Sequence, residues 1–145
     1  MARISRFIYL FATGLFVVGV VVQVFLAGMA VVAMQMGWAD HIGLGHGLAF
    51  PVLIMLITMY LGRLPKPMKW STWALFIVYA LQADVVIFLR LQAPVISALH
   101  PVLALVDFAL GLALASRARQ IVFNHSKLLE DKHGSSSRQS QQFEG

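Results

Sequence analysis

Residues 7–35 read FIYLFATGLFVVGVVVQVFLAGMAVVAMQ, a run without one Asp, Glu, Lys or Arg. A helix rises about 1.5 Å per residue, so about 20 apolar residues cross the hydrocarbon of a bilayer. Arg3 and Arg6 precede the run, as they would in a signal peptide. A signal's apolar region, however, is only about 7–15 residues long. The run is therefore expected to be a retained membrane span.

The rest of the chain follows the same pattern. Of 145 residues, 59% are hydrophobic and only 12% charged, and the mean hydropathy is +0.80. Soluble domains carry about 25% charged residues. The apolar excess excludes a disordered chain and speaks against a nucleic-acid binder, despite the net charge of +5. Cysteine is absent, which excludes disulfides, thiolate metal sites, iron–sulfur clusters and covalently attached haem.

Three further apolar stretches follow, at about 41–61, 71–91 and 99–115. The junctions carry Gly43, Gly45 and Gly47, then Pro65-Lys66-Pro67, then Gln92-Ala93-Pro94. Backbone polar groups cannot face lipid unpaired, so the spans are helices. The expected fold class is all-α: an integral membrane four-helix up-down bundle over residues 1–119. Gly111 with Ala115, and Ala109 with Ala113, are small residues suited to close helix packing.

Basic residues set the expected direction. Arg3, Arg6, Arg63, Lys66, Lys69, Arg117 and Arg119 fall on one side, and only Arg90 on the other. The positive-inside rule then places both termini in the cytoplasm of a bacterial inner-membrane protein. Trp38 on the outer side, with Trp70 and Trp73 on the inner, sits at interfacial depth. Residues 120–145 turn polar and are expected to form a disordered cytoplasmic tail.

Ionisable groups inside spans are costly, about 2.5–3.5 kcal/mol for a central Asp on insertion scales. Asp84 and Asp107 lie at similar depth on neighbouring antiparallel spans, with Gln23 and Gln82 somewhat deeper. The four are expected to share a polar interior, with the two carboxyls facing each other over one proton. That arrangement suits proton or ion handling. The bland reading is that these groups satisfy one another and fix helix register.

Histidines gather at the outer side. Asp40 is placed to cap the second span, with His41 in its first turn and His46 deeper. His100 precedes Pro101, which favours a first helical turn. The second and fourth spans are diagonal, so His46 and His100 are the expected axial ligands of a single b-type haem. Arg90 is the expected partner of a propionate. A zinc or copper ion is the other ligand considered, held by His41 and His46 with Asp40 or His100. A quinone-type or headgroup pocket, and a purely structural role, complete the alternatives. No spacing marks an enzyme: there is neither a GxSxG motif nor a Gly-rich phosphate loop.

Gln23 with Ala27-Gly28, then Trp38, His41 and Gly43, then Leu81-Gln82, then Leu99-His100-Pro101 form a recognisable series. It resembles a family of small bacterial and archaeal four-span membrane proteins classed as a domain of unknown function, over roughly residues 7–117. The resemblance implies a single membrane domain and no defined activity. More broadly the chain is similar to four-helix membrane b-type cytochromes, including the cytochrome b561 class. Those usually carry two haems, with histidines on both sides. Here the inner halves of the spans hold none, so one outer haem is the most that fits. The expected function is thus a membrane protein with a polar, histidine-containing outer cavity, of single-haem or redox-accessory type. The alternatives are a structural subunit docked to other membrane-complex subunits, and a proton- or ion-handling transporter.

Overall fold

The computed structural model describes the backbone of residues 1–33, 37–85, 88–89 and 93–143. It describes the side chains among these other than 85, 94 and 124–143. The chain is all-α, with no strand among the described residues. The first helix, α1, runs Ala2–Val31. Helices α2 (Trp38–Gly47) and α3 (Ala49–Leu61) make one rod with a break at Leu48. The break has a local cause. Pro51 has no N–H to give the carbonyl four residues back, and the next bond, Val52 N to Leu48 O, is stretched to 3.4 Å.

Helix α3 ends where Gly62 N–H reaches Thr58 O and Arg63 turns into the left-handed region at φ 51°. Helix α4 then runs Lys66–Ala80, with Pro67 in its first turn, where a missing N–H costs nothing. It passes directly into a π-helical turn at Leu81–Val85. A single turn, α5 (Pro94–Ser97), leads to the long α6, His100–Phe143.

The four rods close into a ring. Helix α1 packs against α3 and α6, and α4 packs against the same two. Helices α1 and α4 are therefore diagonal, as are α3 and α6. Side chains from the diagonal pair meet at the centre. Tyr9 Oη and Thr72 Oγ1 lie 2.7 Å apart and buried, and the Phe16 and Tyr79 rings meet edge-on at 6.1 Å. Met55, Met59, Leu75 and Leu114 fill the remaining core. Glycines allow the close approaches. A Cβ on Gly19 would collide with Leu48, and one on Gly111 would come within 2.8 Å of Val17. Gly111 thus plays the packing role expected of it, whereas Ala109 and Ala113 lie exposed.

Outward, the surface is greasy: Phe11, Phe25, Phe50, Ile57 and Leu105 are all exposed. Three helices are long and apolar enough to cross a membrane: Ala2–Val31, Trp38–Leu61 and Val95–Phe123. They contain most of the first expected span and all of the second and fourth. The expected third span, 71–91, is helical from Lys66 through Val85. Residues 86, 87, 90 and 91 lie outside the described residues, and so does that part of the span. Asp40 does not cap the second rod. Gly37 holds the cap position, and Asp40 sits inside the first turn. The helix begins earlier than expected because Trp38 already has helical backbone.

Candidate functional site

At one end of the ring, opposite the Arg63-Leu64-Pro65 turn, the rods enclose a cavity of about 550 Å³. Small side chains leave the space: Ala27, Gly45, Ala83 and Ala104 line it, with Val20, Val24 and Ile42. The polar lining comprises Gln23, His41, His46, Tyr79, Gln82 and His100.

His41 lies in the first turn of α2 and points back to α1, where its Nδ1 donates to the Gln23 main-chain oxygen at 3.1 Å. His100 opens α6, and its Nδ1 donates to the Gln82 main-chain oxygen, also at 3.1 Å. A carbonyl only accepts, so each Nδ1 carries a proton, and in a neutral ring it is Nε2 that is left to accept or ligate. Metal-binding histidines are oriented in just this way. The two rings have centroids 6.1 Å apart and planes at 67°. Trp38 meets His41 edge-on at 5.5 Å and braces its outer side.

The structure thus brings His41, and not His46, up to His100. Five residues beyond His41, His46 lies about 140° further round the helix. Its Nδ1 bonds to Ile42 O at 3.0 Å, and its Nε2 lies 3.9 Å from Asp84 Oδ1. Both side chains are well exposed, 64% and 71%. Among the described residues no group of three or more His, Asp or Glu side chains is placed to hold a metal ion. Of the expected His41, His46 and His100 set, the first and last meet ring to ring, while His46 lines the same cavity beside Asp84. Arg90 lies outside the described residues.

The two aspartates are likewise separated. Asp107 is fully buried, and its Oδ2 accepts from Gln82 Nε2 at 2.8 Å. Asp84 lies on the exposed surface beside His46. Equal depth had suggested a facing pair. But Gln82 and Asp84 are two residues apart, which puts them on nearly opposite faces of a helix. With Gln82 turned inward, Asp84 is turned out. Gln23 Oε1, Gln82 Oε1 and Asp107 Oδ1 are buried with no hydrogen-bond partner among the described residues. Tyr79 closes the floor, donating to Gly45 O at 2.7 Å.

These contacts repeat. Thr13 Oγ1 bonds to Tyr9 O, and Thr72 Oγ1 to Met68 O, at 2.7 and 2.8 Å. Thr13 and Thr72, Gln23 and Gln82, His41 and His100 are each 59 positions apart. Exchanging the two helical hairpins maps the packing of the rods onto itself, as an approximate two-fold axis does. Sequence reasoning missed the glutamine carbonyls. Their signal was the repeated Gln–His spacing of eighteen residues.

Fold and site define an all-α protein with three helices of membrane-crossing length and a cavity at one end lined by His41, His46 and His100. Residues 23–89 match the model of a family of unknown function, DUF6220. The matched segment opens at Gln23 and includes His41 and Gln82, while His100 lies beyond it. No curated protein and no solved structure matches the chain.

Proposed function

We propose that the protein is a four-span integral membrane protein that binds one b-type haem between His41 and His100. The observation that carries this reading is the histidine pair itself. Two imidazoles on opposite sides of one metal, with metal–nitrogen bonds of about 2 Å, have ring centres about 6 Å apart. The ring centres here are 6.1 Å apart, and among the described residues neither Nε2 is engaged by a hydrogen bond. The adjoining cavity, about 550 Å³ and mostly apolar, falls in the range of about 300–1,000 Å³ typical of ligand sites. Haem supplies one-electron exchange when bound, and the protein's share is ligation, orientation and exclusion of water.

In this reading α4 with its π turn forms the third span. The basic residues Arg3, Arg6, Arg63, Lys66 and Lys69 mark the cytoplasmic end, so the histidine end faces outward. The decisive measurement is the optical spectrum of the chain purified in mild detergent after expression with ample haem, oxidised and dithionite-reduced. A Soret band is expected in the parent and in His46→Ala, and is expected to be lost in both His41→Ala and His100→Ala. A colourless, folded preparation would overturn the proposal and favour an accessory subunit of a larger membrane complex.

One observation supports a second reading. Asp107 is buried, bonded to Gln82 through Oδ2, and its Oδ1 has no hydrogen-bond partner among the described residues, an arrangement that suits a bound proton. Proton flux in liposomes, lost in Asp107→Asn, is the corresponding test. Flux equal to that of the parent removes it.

A further inference from the structure

A second cavity, of about 590 Å³, lies at the basic end, between the close of α3 and the first three turns of α4. Its lining is Tyr60, Lys66, Lys69, Trp70, Trp73 and Ile77. Five of these belong to α4, at relative positions 0, 3, 4, 7 and 11, so they form one stripe along a single helix face.

The stripe is chemically graded. It starts with two ammonium groups, continues with two indoles, and ends on the exposed Ile77. From Lys66 to Ile77 the helix rises about 16 Å. The wall is fixed by contacts around Tyr60. Trp73 Nε1 donates to its hydroxyl at 3.1 Å, and Lys69 Nζ lies 4.9 Å from its ring centre. Trp70 remains 75% exposed, an indole turned outward. No acidic side chain lines the groove.

The repeat provides an internal control. Fifty-nine positions earlier, the matching residues are Phe7, Leu10, Phe11, Gly14 and Val18. None is charged and none is an indole. The scaffold therefore does not require lysines or tryptophans on this face. A topology signal alone would be met by cations anywhere in the loop. Here they are set at the mouth of an aromatic groove.

A negative head joined to an apolar chain matches that gradient. We propose that the groove between α3 and α4 binds an anionic phospholipid. Lys66 and Lys69 hold the phosphate, and the acyl chain lies along Trp70, Trp73 and Ile77. The inference rests on the membrane-spanning reading and is independent of haem. A free phosphate ion shares the headgroup's chemistry but would leave the indoles and Ile77 uncovered.

The test uses the full chain in mild detergent. Thermal unfolding is followed after adding phosphatidylglycerol, phosphatidylcholine or inorganic phosphate, and native mass spectrometry counts retained lipid. Phosphatidylglycerol is expected to raise Tm and to be retained at one molecule per chain, with little effect from the other two. In the surface variant Lys66→Gln/Lys69→Gln the preference should disappear. Equal shifts with phosphatidylcholine would overturn the headgroup assignment. A matching shift from inorganic phosphate would reduce the groove to a simple anion site. An undiminished preference in the lysine variant would place the lipid elsewhere. A chain that stays folded and monodisperse without detergent would instead remove the spanning reading itself.

Discussion

His41 and His100 make the same hydrogen bond in two different places. Each donates Nδ1–H at 3.1 Å to the main-chain oxygen of a glutamine eighteen residues before it. Each bond ties the start of one rod to the side of the rod before it. The orientation of both imidazoles is thereby fixed by backbone, which side-chain changes cannot easily disturb.

The equivalence has a measurable consequence. His41→Ala and His100→Ala each remove one part-buried hydrogen bond, worth about 0.5–1.5 kcal/mol. Their effects on unfolding of the ligand-free protein should be equal within about 0.5 kcal/mol. His46→Ala loses only an exposed bond to its own helix and should change stability by less than about 0.5 kcal/mol. Denaturant or SDS titration in detergent checks all three. A markedly smaller effect at one of the two paired histidines would break the equivalence.

The central Tyr9–Thr72 pair is the tie across the bundle. Its hydroxyls lie 2.7 Å apart and buried, on helices that are diagonal in the ring. Thr72 also bonds to Met68 O, so Tyr9→Phe leaves Thr72 satisfied. The double-mutant cycle of Tyr9→Phe with Thr72→Val should return a coupling of about 0.5–1.5 kcal/mol. Strictly additive losses would mean that the contact contributes nothing.

Much of this was legible in the sequence. Apolar runs such as 7–35 give helices long and apolar enough to cross a membrane, a property that rests on length and composition alone. The cluster of histidines at one end followed from the same counting. Azimuth was not legible. Depth follows from rise per residue, but the face a side chain presents depends on where its helix starts and on each local irregularity. Trp38 starts the second rod earlier than Asp40 suggests, and the π turn at Leu81–Val85 re-phases the third. With Gln82 turned inward, its two-residue spacing from Asp84 turns that carboxyl outward, and His41, reaching back to Gln23, is the histidine of its rod that meets His100. The repeat was hidden for another reason. Its identities at Thr13, Gln23 and His41 are scattered among interchangeable Val, Leu, Ile, Phe and Ala.

Gly19 shows how tightly the first hairpin is packed. A methyl group there would collide with Leu48, at the break between α2 and α3. Overpacking of this kind costs about 1–3 kcal/mol. Gly19→Ala should therefore destabilise by that amount, and Leu48→Ala in the same chain should relieve part of it. The double variant is expected to be more stable than the sum of the single losses predicts. Simple additivity, measured by thermal unfolding, would show that the approach is looser than described.

The two aspartates should behave oppositely. Asp84 is exposed and 3.9 Å from His46, and such surface pairs contribute at most about 1 kcal/mol. Asp84→Asn should be nearly silent. Asp107 is fully buried and accepts from Gln82. Asp107→Leu fills the space but leaves the Gln82 amide buried without a partner, a cost of about 1–3 kcal/mol. Converting Gln82 to Leu as well removes the stranded amide, and replacing both partners by apolar groups is often nearly neutral. The double variant Asp107→Leu/Gln82→Leu should therefore recover most of the stability lost in Asp107→Leu. Should it instead unfold as readily as the single variant, the penalty arises from packing around residue 107 and not from the stranded amide.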